Sequence, residues 1–236
     1  MKLDTKTLNV LKSFTPINPS ILIKEGNIVS TISPTKTVLA KAKVPTNFTK
    51  RFAIYDLSQF ISTISLVEDP EFEFNNDHVK FSGTNGVFGV YKYASESIIK
   101  TPPEKELKLP TVDVSLKITE NVLREIIRAC GAQKVSDICI VGDGTNVSIQ
   151  ALDAKESAGN YFNINIGTTD KVYRAVFKLD NIVKVIPGNY SVDISSKGIS
   201  HFQSDEIEYW IAAGDHNPNS HGDEVSGVQR QRVVEI

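Results

Sequence analysis

Basic residues gather on the stretches of this chain that read as short helices. Lys6 and Lys12 lie on the first, Arg124 and Arg128 on the third with Lys117 at its entry, and Lys178 and Lys184 on the fourth. A row of cations on one helix face attracts phosphates through a long-range term that ignores base sequence. The same residues would also simply solvate an amphipathic helix, so a second observation is needed. Other reactive types are scattered. His216 and His221, with Asp215 and Asp223, could hold a metal, but their spacing is irregular. Cys130 and Cys139 fall in no ligand spacing and make no disulfide framework, which reads as two buried thiols in a reducing compartment. Gly142-Asp143-Gly144-Thr145-Asn146 lacks the Lys-Ser/Thr ending of a phosphate loop and reads as a hairpin turn. Glu71 and Glu73 alternate with Phe, so they face solvent on a strand and form no acid–base pair. No serine stands in a nucleophile elbow. The expectation is a protein without catalytic activity, cofactor or metal.

The elements that must position the cations follow from periodicity. Apolar residues at spacings of three and four predict helices over 4–14, 56–67, 119–130 and 178–186. Asp4, Asp56 and Thr119 are ready to cap the first three, and Pro187-Gly188 stops the fourth. Alternation in Glu71–Phe74, Asn146–Asp153, Tyr161–Ile166 and Ile207–Ile211 predicts strands with one buried face. Gly and Asn pairs such as Asn85-Gly86 and Lys197-Gly198 punctuate them as tight turns.

One unit is written twice. "AIYDLSQFISTI" (53–64) and "AVFKLDNIVKVI" (175–186) carry apolar residues in the same order across a strand-to-helix transition. Between the two, "ASESIIKTPPEKELKLPT" (94–111) is rich in Pro and charge, which is linker composition. The reading is an α+β chain of two similar domains, each with two short helices packed on antiparallel sheets. The domains are expected at 1–93 and 112–213, with a connector at 94–111 and a flexible polar tail at 214–236.

With 236 residues the chain is long enough for two cores. Hydrophobic residues make up 40% and charged residues 23%, an ordinary globular balance. A net charge of -2 hides a segregation: acidic residues gather in strands, connector and tail, while the first, third and fourth helices, with their entries, are each net basic despite Asp4, Glu120, Glu125 and Asp180. No apolar run approaches the ~20 residues of a membrane span.

These features together resemble the sliding clamps, ring-shaped processivity factors of DNA replication, and in particular those of T-even-like bacteriophages. "MKLDTKTLNVLKSF", "AIYDLSQFISTISLVEDPEFEF" and "IPGNYSVDISSKG" carry the resemblance. It implies the DNA-clamp fold and three chains closed head to tail around double-stranded DNA. Four helices per chain at about 10 Å spacing agree: three chains give a clear hole of about 28 Å, two give only about 15 Å. The resemblance also implies a DNA polymerase, a clamp loader ATPase and late-transcription factors as partners, no membrane, and the cytoplasm of the infected bacterial host. Lys6, Lys12, Lys117, Arg124, Arg128, Lys178 and Lys184 are then the DNA-facing residues. Partner tails would dock near the connector on Ile98, Ile99, Leu107 and Leu109, expected to be exposed. The alternative is a β-rich phage structural or adaptor protein, which would need neither basic helices nor a duplicated unit.

Overall fold

A computed structural model describes residues 1–84, 86–156 and 159–215. The chain divides into two compact units, one of Met1–Glu106 with Glu206–Glu208, the other starting at Leu107. The change of unit lies within residues 94–111.

The first unit opens on α1 (Thr5–Phe14), whose Asp4 carboxylate caps it by accepting from the Lys6 amide at 2.8 Å. Then come β1 (Ile21–Ile23), β2 (Gly26–Ile32), β3 (Val38–Phe48) and β4 (Phe52–Ile54). The second helix, α2 (Leu57–Ile64), is capped by Asp56, which accepts from the Gln59 amide at 2.8 Å. A meander of β5 (Glu71–Phe74), β6 (His78–Ser82) and β7 (Phe88–Lys92) follows, then a 3-10 turn at Glu96–Ile98. β1 pairs β4, β2 pairs β3, and β5-β6-β7 form a sheet, all antiparallel. The core is made by Leu11 and Phe14 of α1 and by Leu57, Phe60 and Ile64 of α2, each at most 2% exposed. A chain of rings, Phe48, Phe52, Phe74 and Tyr93, fills the rest at centroid spacings of 5.1 to 6.4 Å.

The second unit contains β8 (Val114–Ile118), α3 (Glu120–Gln133), β9 (Asp137–Asp143) and β10 (Asn146–Leu152). It continues with β11 (Phe162–Thr168), β12 (Val172–Lys178), α4 (Leu179–Ile182), β13 (Tyr190–Ser195), β14 (Ile199–Gln203), β15 (Ile207–Ala212) and β16 (Gly214–Asp215). One sheet runs β11-β10-β9-β12-β16, and β8, β13, β14 and β15 are successive neighbours in another. α3 lies on β10, burying Leu123 and Ile126 above Val147, Ile149 and Ala151. Phe177, Tyr190, Phe202 and Tyr209 join the two sheets through edge-to-face contacts.

The duplication is visible in hydrogen bonds as well as in sequence. In the first unit the Leu57 amide opens α2 by donating to the Pro19 carbonyl at 2.7 Å, in the segment after α1. In the second the Leu179 amide opens α4 by donating to Ser136, after α3, at 2.9 Å. Both strand-to-helix transitions are thus anchored on the loop that follows the preceding helix.

Several expectations need correction. Lys117 sits on β8, not on a helix. α3 continues past Cys130 to Gln133 and stops where Lys134 turns left-handed at φ 57°. α4 is a single turn ending at Ile182. The residues after it form tighter turns, the Lys184 amide donating to Asn181 and the Val185 amide to Ile182, so Lys184, expected on the helix, lies beyond its end; Pro187 keeps Ile186 from extending it. Lys178 precedes α4 at the cap position, where the equivalent residue of α2 is the capping Asp56. Gly214–Asp215, assigned to the tail, form β16 against Val176 and Ala175, since a backbone ladder requires no apolar pattern. The rest of the expected tail, from 216 on, lies outside the described residues, as does Asn85.

Candidate nucleic-acid and partner sites

The seven basic residues fall into three grades. Lys12, Arg128 and Lys184 carry no side-chain hydrogen bond or ion pair among the described residues, and Lys12 and Arg128 are exposed. Lys117 is likewise exposed and unpaired among the described residues, but it projects from a strand. Lys6 and Arg124 are held by surface carboxylates. The Lys6 Nζ lies 2.9 Å from Glu206, and Arg124 donates through Nε and Nη2 to Oε1 of Glu120 at 2.8 and 2.7 Å. Lys178 is committed elsewhere: its Nζ lies 2.6 Å from Oδ1 of Asp137, whose side chain is 1% exposed. The other oxygen of Asp137 accepts from the Ala154 amide at 3.0 Å. A buried carboxylate with no counter-ion is costly, so Lys178 serves the fold before it can serve a ligand. α2 offers only Ser58, Gln59 and Ser62 to solvent, and its nearest upstream cation, Arg51, is paired with Glu96 at 2.6 Å.

The thiols do no chemistry at the surface. Both cysteines are free and buried, and desolvation pushes Cys130 up to about 11 and Cys139 upward as well. Among the described residues no group of His, Cys, Asp and Glu could hold a metal. His216, His221 and Asp223 lie outside them, and so does the Asp215 side chain.

The connector residues do not behave alike. Ile98 is 59% exposed, whereas Ile99 is buried against Leu22 and Ala53, which corrects its expected exposure. Ile98 ends the 3-10 turn and Ile99 follows it on extended backbone, so one side chain faces outward and the other packs onto β1 and β4. Leu107 and Leu109 are half-buried in the second unit. Sequence reasoning missed a cleft of about 460 Å³ that opens in the second unit just beyond the connector. Asp113, Val114, Lys171, Tyr173, Ile194 and Ala213 line it. Desolvation raises the Tyr173 hydroxyl to about 12, so it stays a neutral donor. No local pattern foretells this cleft, because its walls come from strand ends far apart in sequence.

Among the strands that end their sheets are β7 in the first unit and β11 in the second. Phe88 (65% exposed) and Val90 on β7 face solvent, as do Phe162 on β11 and Tyr161 just before it (62% exposed). Gly89 between the two β7 residues is required by packing, since a Cβ there would come within 2.3 Å of the Phe81 ring.

Known proteins match along nearly the whole chain. The family model described as "DNA polymerase processivity factor" covers residues 2–85, and that described as "gp45 sliding clamp, C terminal" covers 115–214. A protein of Vibrio phage KVP40 named "Sliding clamp" is 30% identical over 90% of this chain and 98% of its own length. The "Sliding clamp" of Escherichia phage RB69 is 27% identical over 90% and 96%. Among solved structures, the A. fulgidus PCNA bound to the C-terminal region of FEN-1 superposes with a TM-score of 0.63. It has 13% identity and covers 89% of this chain and 95% of that one. An α+β chain with two compact units and, among its described residues, four α-helices and antiparallel sheets thus has the DNA-clamp fold. With both halves matched by family models and a relative at 30% identity over nearly its full length, this chain belongs to the sliding clamps of T4-like bacteriophages, the DNA polymerase processivity factors.

Proposed function

We propose that three copies of this chain close head to tail into a ring around duplex DNA and tether the replicative polymerase to its template during synthesis in the infected host cell. The observation that supports this best is the duplication: the strand-to-helix transition occurs once in each unit, and each unit has an edge strand with exposed apolar side chains, β7 or β11. Uncovered edges invite pairing. Two different edges on one chain make a heterologous contact, which closes into a ring when its rotation allows. The joint is then β7 of one copy beside β11 of the next.

The helices supply the inner wall. Lys12, Arg128 and Lys184 are the principal phosphate contacts, with Lys6 and Arg124 weaker and Lys117 peripheral. Such contacts hold the duplex near the axis without reading bases, and retention comes from topology. The triple variant K12A/R128A/K184A is expected to lose most polymerase stimulation on primed circular DNA, each single change having a small effect. The salt slope of DNA binding should flatten by about 0.9 per contact removed. Full stimulation by the triple variant at every salt concentration would refute this part.

Partner docking belongs to the second unit's cleft and the connector. An apolar side chain of a partner tail suits Val114 and Ile194, with Leu107 and Leu109 nearby in the chain, and Ile98, exposed in the first unit, is a separate candidate anchor. The clamp loader and late-transcription factors would use the same exchangeable grip. Replacing Ile98 and Leu107 by Ser is expected to weaken binding of a polymerase C-terminal peptide about tenfold with the solution mass unchanged. A mass change without loss of peptide binding would assign these residues to the fold instead.

A further inference from the structure

We propose that Glu120 and Glu206 are built-in attenuators of the DNA contact, each holding one helix-face cation partly out of reach of phosphate so that the duplex slides. The proposal rests on the DNA-encircling reading above.

Glu120 stands one turn before Arg124 on α3, the favoured order for an ion pair along a helix. Arg124 turns both Nε and Nη2 onto one of its oxygens. Lys6 on α1 reaches Glu206, far away in sequence but in the same compact unit. In both pairs the side chains are 43–65% exposed. Exposed pairs of this kind shift an equilibrium by no more than about fivefold. A phosphate can therefore displace the carboxylate, but against a standing competitor. The contrast with Lys178 is instructive, because its carboxylate is buried and the cation is withdrawn from any exchange. The chain thus carries free, attenuated and committed cations on or beside its helices, and the attenuated grade exists only because of two acidic residues.

The test uses the full chain and a labelled duplex of mixed sequence, with affinity measured across a salt titration. E120Q and E206Q keep side-chain length while removing the competing charge. Each is expected to tighten low-salt binding about two- to fivefold and to steepen the salt slope by up to about 0.9. E25Q changes net charge equally at an exposed turn residue that pairs with no helix cation among the described residues, and it should alter neither quantity. If E120Q and E206Q bind as the native protein does while K12A/R128A/K184A binds more weakly, the attenuation is wrong and the DNA reading stands. If E25Q matches them, the effect is one of net charge and the attenuation is again wrong. If the triple variant also binds like the native protein, the DNA reading itself fails and this proposal with it.

Discussion

Changing Lys178 to Ala is expected to destabilise the second unit by about 2–3 kcal/mol, below the range for a fully buried pair because the Lys178 side chain is 48% exposed, yet a large share of a typical domain's stability. The reason is the carboxylate left behind. Asp137 is buried at the start of β9, with Lys178 on one oxygen and the Ala154 amide on the other. Removing the ammonium leaves one neutral hydrogen bond to stabilise a desolvated charge. The pair also joins the end of β12 to the start of β9, where the two residues stand opposite each other, next to the Leu179 amide that opens α4. The double variant K178A/D137N should recover a large part of the loss, because Asn can still accept from Ala154 without needing a counter-ion. Urea unfolding decides this. A midpoint for K178A within about 1 kcal/mol of native would show that the pair does not secure the unit.

The second large effect concerns the joint. Phe88→Glu on β7 and Phe162→Glu on β11 are each expected to abolish ring formation, since every joint of a head-to-tail ring needs both edges. A buried aromatic at the centre of such an interface is worth about 2 kcal/mol or more, and a charge there adds desolvation cost. Neither residue belongs to its unit's core, Phe88 being 65% and Phe162 37% exposed, so both variants should stay folded. Mixing them gives a sharper prediction. F88E retains a sound β11 edge and F162E a sound β7 edge, so the mixture should form a dimer through one joint while each variant alone stays monomeric. A symmetric joint made from one edge only would instead leave one of the two variants fully assembled.

Much of the architecture was legible in the sequence because its causes are local. Asp4, Asp56 and Thr119 do cap their helices, accepting from amides two or three residues on, and most of the apolar positions read on α1, α2 and α3 are buried, with Leu8, Ile61, Val122 and Ile127 half-buried at the edges of those faces. The strand-to-helix repeat was legible for the same reason. The fourth helix was overextended because the spacing of Leu179, Ile182, Val183 and Ile186 suits a run of turns as well as a helix. In the structure Ile186 is held by two tyrosines: its amide donates to Tyr209 at 3.1 Å, and its carbonyl accepts from Tyr190 at 2.6 Å.

The charge readings failed where pairing is non-local. Nothing near Lys178 announces Asp137, and nothing near Lys6 announces Glu206. A list of cations from sequence therefore treats free, attenuated and committed residues alike. Ile99 was misjudged because a linker composition says nothing about which of two adjacent isoleucines turns inward. The cleft beyond the connector was not legible at all, being an arrangement of strand ends.

The central claim is that the chain assembles as a closed ring of three. Light scattering across micromolar and lower concentrations, without DNA, tests it most directly. A closed ring gives three chain masses, falling towards one on dilution without a dominant dimer. A single chain mass at the highest concentration would contradict it.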